Sequence, residues 1–177
     1  MTYTQHYDSP LGGILLAADE EGLTGLWFDG QKYFARTLPK EYAESETPVL
    51  CEAKRWLDIY FSGREPDFTP PLHPEGSAFQ QVVWVLLLEI PYGETTTYGT
   101  LARKLAEKQG LTHMSAQAVG GAVGHNDISL IIPCHRVVGA SGSLTGYAGG
   151  VDKKIKLLEL ERADMKAFFV PKKGTAL

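Results

Sequence analysis

The run Ile131-Ile132-Pro133-Cys134-His135-Arg136-Val137 sets a cysteine, a histidine and an arginine side by side behind an apolar stretch. A cysteine acts as a nucleophile through its thiolate, so the chemistry turns on what would ionise Cys134. Pro133 suits the first position of a helical turn. Cys134 would then lie near the positive end of the turn's dipole, which lowers a thiol pKa, with His135 and Arg136 adding positive charge or a proton acceptor. The competing reading is packing, because free cysteine is among the most buried residue types. Taken alone, the motif leaves the two readings evenly matched.

Adjacency limits the mechanism. Consecutive side chains on a helical turn diverge, so Cys134 and His135 do not face each other. A bridging water fits that geometry better than a direct thiolate–imidazole pair. Glu161 lies three residues past Leu158, on the inward stripe (Val151, Ile155, Leu158) expected of the last helix, where a carboxylate needs a partner. Glu161, His135, a water and Cys134 then form a relay with the logic of a catalytic triad. The plainer reading of Glu161 is a helix-end ion pair or a frayed end.

A second unusual stretch is Ala116-Gln117-Ala118-Val119-Gly120-Gly121-Ala122-Val123. Two adjacent glycines in a helix cost about 1 kcal/mol each relative to alanine. Such a helix is retained where something must approach its backbone closely, either another helix of the chain or a ligand. With the helix before it, this stretch resembles a helix-turn-helix. Downstream, residues 141–150 form a glycine-rich loop that could fold like a wing.

Composition sets the frame. The chain has 177 residues, enough for one large domain or two small ones. Its two cysteines, Cys51 and Cys134, are too few for a disulfide framework or a cysteine-rich zinc site. The five histidines show no metal-ligand spacing, so no metal or other cofactor is expected. The polar start lacks a signal's apolar core, and the longest apolar run, residues 82–88, cannot span a bilayer. A cytoplasmic, reducing setting follows as the expectation. Net charge is −4, but it is unevenly spread: residues 1–75 carry 6 basic and 13 acidic side chains, residues 76–177 carry 11 and 8. A polyanion would therefore meet the second half.

The elements that must position these groups divide at a proline-rich segment, residues 66–74. The expected domains are 1–72 and 73–177. Residues 2–7, 13–18 and 23–29 read as a β-meander. A helix over 48–62 follows, with Thr47 as cap, Pro48 at its first position and Gly63 at its end. Val49, Ala53, Trp56, Leu57 and Tyr60 make its core face, and Cys51 is expected to pack. In the second half, Ser77 and Gln80 form a capping box for a helix with Phe79, Val82, Val83, Leu86, Leu87 and Ile90 on its apolar face. Thr97 caps the next, with Tyr98, Leu101, Ala102 and Leu105 inward and Gly110 at its end. Ser115 opens the glycine-containing helix, residues 128–132 read as a buried strand or extended segment, and a last helix covers 151–162. The tail, residues 172–177, is expected to fray.

These residues together closely resemble the O6-alkylguanine-DNA alkyltransferases, the methylated-DNA–protein-cysteine methyltransferases. Pro133-Cys134-His135-Arg136-Val137 is similar to the active-site signature of that family. Ala118-Val119-Gly120-Gly121-Ala122, then Asn126, the cysteine motif, Gly146-Tyr147-Ala148-Gly149-Gly150 and Glu161 keep the family's order and spacing over residues 76–162. The resemblance implies an α+β fold: a small N-terminal antiparallel sheet plus helix, ribonuclease H-like, then a mainly helical winged helix-turn-helix domain that binds DNA and carries the chemistry. It implies irreversible, single-turnover transfer of an alkyl group from O6-alkylguanine in duplex DNA to Cys134, with O4-alkylthymine as a second possible substrate. His135 and Glu161 match the water-bridged activation network, and Asn126 matches the asparagine that braces the turn. Tyr98 matches the tyrosine that helps rotate the nucleotide out of the duplex and protonates the leaving guanine. Val137, Tyr147 and Ala148 match the alkyl and base pocket. Gln117, Ala118 and Gly121 lie on the matching recognition helix, which in this family enters the minor groove. A monomer acting without a cofactor is implied.

One position departs from the family. Gln117 stands where the family usually carries an arginine that fills the gap left by the flipped nucleotide. Glutamine is shorter and uncharged, although its amide can still bond the orphaned base. The connection over residues 108–114 is also longer than is typical of the family. Two other classes compete with a repair alkyltransferase. A non-catalytic binder of alkylated DNA would lack the cysteine, which is present here. A cysteine hydrolase would need histidine within direct reach of sulfur and an oxyanion hole, which the Cys-His adjacency disfavours.

Overall fold

The structure, a computed structural model, describes residues 1–171. The tail that was expected to fray lies outside them. Contacts group the chain into two units: Met1–Glu75 with Asp127–Ile131, and Gly76–Asn126 with the chain from Ile132 onward. Asp127–Ile131 thus belongs with the first unit, whereas the sequence reading has all of residues 73–177 together.

In the first unit, β1 (Tyr3–Ser9), β2 (Gly12–Ala18) and β3 (Leu23–Phe28) form the expected antiparallel meander. A two-residue strand not anticipated from sequence, β4 (Ala43–Glu44), adds in parallel to β1, giving the order β3-β2-β1-β4. Leu15, Ala17 and Trp27 cluster with Ala35 and Leu38. The helix α1 (Pro48–Phe61) packs against β1, β2 and β3. Thr47 caps it by accepting from the Leu50 amide at 3.3 Å. Its inward face is Leu50, Ala53, Trp56, Leu57 and Tyr60. Leu50 therefore takes the buried place expected of Val49. Cys51, one residue on, is turned off that face and is exposed rather than packed.

In the second unit, α2 (Ala78–Leu88) starts on the expected capping box of Ser77 and Gln80. Strand β5 (Thr96–Thr97) leads into α3 (Tyr98–Lys108), capped by Thr97, and α4 (Ala116–Gly124) is capped by Ser115. The three helices pack on one another. Trp84 on α2 is buried, and its indole Nε1 donates to the Ala122 carbonyl of α4 at 2.9 Å. A 3-10 turn, Cys134–Arg136, runs into β6 (Val137–Val138), which pairs in parallel with β5. Helix α5 (Val151–Leu160) closes the unit.

Two local expectations change. Residues 128–132 are buried but form no strand; a single parallel bridge joins Ile128 to Leu26. The glycine-rich loop is a turn in which Gly139 N donates to Ser143 O at 2.8 Å, fastened by a bridge between Ser143 and Phe169, with Leu144, Val138 and Leu158 buried beneath. The α+β class and its order, a small sheet with a helix and then a mainly helical part, are as expected. Among the described residues no helix is long and apolar enough to cross a membrane.

The Trp84–Ala122 bond ties the glycine-containing helix to its neighbour. Trp84→Phe keeps most of the packing but leaves the Ala122 carbonyl short of a donor, so urea denaturation is expected to show a loss of about 2 kcal/mol.

Candidate active site

Cys134 opens the 3-10 turn, with Pro133 just outside it as the cap rather than at its first position. Three residues of 3-10 helix carry little dipole. Burial dominates instead: Cys134 is 7 % exposed and its thiol is pushed above its ordinary value. This corrects the expectation of a thiol activated by a helix dipole and flanking cations. Three influences pull the other way. The Asn126 side chain hydrogen-bonds the sulfur, the charge of Lys154 favours the thiolate, and a backbone hydrogen bond at Cys134 itself adds to them.

Asn126 is itself fixed. It follows α4, its side-chain Nδ2 donates to the Ile132 carbonyl at 2.8 Å, and it is buried. It thus braces the backbone two residues before the thiol.

Lys154 was not anticipated. Its side chain is fully buried on α5, and its ammonium donates to the carbonyls of Val137 at 2.6 Å and Thr145 at 2.8 Å. Burial pushes its pKa down to about 8, while the negative charge of Cys134 supports its protonated form. Thiolate and ammonium therefore stabilise each other. Its signal was present in the sequence. The true inward stripe of α5 is Lys154, Leu157 and Leu158, followed by Glu161 as the C-cap, at i, i+3, i+4 and i+7. Phasing the helix on Val151 and Ile155, which are only half-buried, hid the lysine.

Glu161 is buried, as its place on the stripe demanded. Its Oε2 accepts from His135 Nε2 at 2.6 Å and from Arg136 Nη2 at 3.2 Å. Its Oε1 accepts from Arg136 Nε at 2.8 Å and from the Gly93 amide at 3.1 Å. Burial alone would raise this carboxyl; the bonds from His135 and the charge and bonds of Arg136 more than offset it, and hold Glu161 below the usual carboxylate range. Gly93 serves here because its φ is +80°, a left-handed conformation that favours glycine, and because a Cβ would lie 3.0 Å from the Glu161 carbonyl. Arg136 also donates from Nη1 to the Ile90 carbonyl at 2.7 Å. It is thus a buried structural cation of the network rather than a charge aimed at the thiol.

His135 is fully buried, and burial lowers its pKa, with Glu161 acting in the opposite direction. With Glu161 ionised, Nε2 carries the proton and donates, which leaves Nδ1 as the basic nitrogen of the neutral ring. The ring meets Tyr147 edge-on at 6.4 Å between centroids. Tyr147 and Val137 are buried, and Ala148 is half-buried. Tyr98, the first residue of α3, is buried with a hydroxyl that has no hydrogen-bond partner. Burial, then the charge of Cys134, raise its pKa.

The residues expected on a recognition helix lie elsewhere. Gln117 and Ala118 are exposed on α4 and Gly121 is partly so. A Cβ added at Gly121 would meet nothing within 4 Å. Among the described residues nothing therefore requires the small residue there, so close packing against another helix does not account for Gly121.

The thiol's environment yields a labelling order. Iodoacetamide at neutral pH is expected to modify exposed Cys51 before Cys134 in peptide mass mapping. Labelling of Cys134 should rise about tenfold per pH unit, because a thiol below its pKa gains thiolate at that rate.

Comparison with known proteins agrees with this geometry. Residues 2–74 match the family model described as 6-O-methylguanine DNA methyltransferase, ribonuclease-like domain, and residues 78–163 match that family's DNA binding domain. A methylated-DNA–protein-cysteine methyltransferase of Methanosarcina acetivorans is 46% identical over 160 residues, covering 90% of this chain and 97% of the relative. One from Haemophilus influenzae is 42% identical over 161 residues, covering 90% and 86%. The crystal structure of Mycobacterium tuberculosis OGT in complex with DNA superposes with a TM-score of 0.78 at 42% identity, over 91% of this chain and 94% of that one. The chain belongs to the 6-O-methylguanine DNA methyltransferase family.

Proposed function

We propose that this protein repairs duplex DNA by moving the alkyl group of O6-alkylguanine onto Cys134. Direct reversal by methyl transfer to a protein cysteine is the activity of the class to which the chain belongs. The observation that carries the assignment to Cys134 is the set of groups around its sulfur: the hydrogen bond of Asn126, the charge of Lys154, and the unpartnered hydroxyl of Tyr98.

The lesion lies inside the base stack, so the nucleotide must be rotated out before sulfur can reach it. The exposed face of α4, with Gln117, Ala118 and Gly121, suits the minor groove, where small side chains let backbone approach the groove floor. Val137, Tyr147 and Ala148 would line the pocket for the base. The thiol proton leaves toward His135 Nδ1 through a bridging water, and Glu161 stabilises the imidazolium that forms. The thiolate attacks the alkyl carbon in line: the S–C bond forms, the C–O6 bond breaks, and its electron pair stays on guanine. Tyr98 donates the proton that lets guanine leave neutral. Its acidity responds to the reaction, because the thiolate charge that held its proton disappears as the thioether forms. No base in the site regenerates a thiol from a thioether, so each molecule acts once. One chain supplies every group in this scheme, which supports a monomer.

Incubation with duplex carrying O6-methylguanine should add one methyl group per chain, on Cys134, and then stop. Cys134→Ser should gain none in intact-mass analysis, and multiple turnover would refute the scheme. Gln117→Arg places a cation on the exposed face of α4. It should tighten duplex binding and steepen its salt dependence by about one unit in the log–log slope, read by fluorescence anisotropy across a salt series.

A further inference from the structure

Asn126 braces the thiol, and the next residue along the chain is gripped from elsewhere. Asp127 is 2 % exposed. Its Oδ2 accepts from Arg36 Nη2 at 2.5 Å and its Oδ1 from Trp27 Nε1 at 3.3 Å. The main chain is held as well: Leu26 N donates to Asp127 O at 2.8 Å, and Ser129 N to Leu26 O at 3.1 Å. Two consecutive residues of β3 thus grip Asp127, Leu26 through its backbone and Trp27 through its side chain. Arg36 is delivered by a tightly wound segment in which Tyr33 and Ala35 both take the left-handed conformation, φ +61° and +53°. Two non-glycine residues in that region are costly and persist only where their surroundings demand it.

This arrangement does more than attach a loop. A buried carboxylate without its cation is strongly unfavourable, so Asp127 is held at one position rather than free to slide. The peptide bond from Asp127 leads straight back to Asn126, whose Nδ2 holds the Ile132 carbonyl and whose side chain bonds the sulfur. The chain leaves Asn126, is pinned at Asp127, and returns at Ile132 to the same amide. A shift of Asp127 therefore moves the group that supports the thiol.

We propose that Asp127, clamped by Arg36 and Trp27, is a positioning residue for alkyl transfer, and that it acts by holding Asn126 in register with Cys134. This rests on the assignment of Cys134 as the acceptor.

The test uses full-length protein and two readouts. Arg36→Gln removes the cation, and Asp127→Asn keeps the shape while removing the charge. In single turnover at saturating methylated duplex, Arg36→Gln is expected to slow transfer about tenfold or more, the scale of a small misplacement at a reacting centre. Duplex affinity should stay within about twofold, since α4 is untouched. The pH midpoint for iodoacetamide labelling of Cys134 should move upward, as expected when the Asn126 bond to sulfur loosens. The neutral pair Arg36→Gln with Asp127→Asn should recover part of both losses. In an Asn126→Ala background, Arg36→Gln should add little, because the group it positions is gone. Unchanged rate and unchanged labelling midpoint in Arg36→Gln overturn the proposal, and so does a full additive loss on top of Asn126→Ala. If Arg36→Gln does not fold, Asp127→Asn is judged by the same two criteria. Should the wild-type protein take no methyl group from the duplex, the functional assignment fails, and the labelling midpoint alone still decides whether the clamp positions the thiol.

Discussion

The carboxylate of Glu161 stays ionised in a place that water barely reaches, and four donors meet it there: His135 Nε2, Arg136 Nε and Nη2, and the Gly93 amide. A buried charge has to be paired and hydrogen-bonded or it titrates away. Meeting that requirement brings together residues far apart in the chain and sets their states. Arg136 supplies the compensating charge, which lets His135 remain neutral. Because Glu161 accepts, the histidine proton sits on Nε2, and the basic nitrogen is Nδ1. The tautomer needed for a relay is thus a consequence of how one glutamate is buried.

The thiol follows a different logic. Burial opposes ionisation of Cys134, and the Asn126 bond, the Lys154 charge and a backbone hydrogen bond at Cys134 itself offset it in part. A resting thiol of this kind is quiet toward ordinary electrophiles. Tyr98 fits the same pattern, with a buried hydroxyl waiting for a partner. Lys154 has a second task, since its ammonium joins the carbonyls of Val137 and Thr145. One cation therefore supports both the charge on sulfur and the backbone that leads to the pocket residues.

Residue types and order singled out Cys134, His135 and Glu161, and the family resemblance added Asn126 and Tyr98. Cys134, His135, Asn126 and Glu161 form one connected set through Arg136 and Ile132, and Tyr98 feels the charge on Cys134. The reason given for thiolate formation was not legible, because it relied on a dipole that a three-residue turn does not supply. Lys154 escaped because a lysine three residues before a leucine pair reads as surface until the helix is phased on Glu161. Cys51 was misplaced for a related reason: one residue of shift along α1 carries a side chain about 100° round the helix and out of the core.

What the sequence by itself determined is local. Thr47, Ser77, Thr97 and Ser115 each cap the helix they precede, because a cap acts within one turn of its own chain. The strand-like runs and the turns between them set the meander in the same way. What only the tertiary structure decided are the meetings between distant residues. Arg36 finds Asp127 across 91 positions, Asp127–Ile131 joins the first unit rather than the second, and Lys154 places its charge near Cys134. Propensity and periodicity reach a few residues along the chain, whereas the cost of a buried charge depends on whatever the finished fold packs beside it.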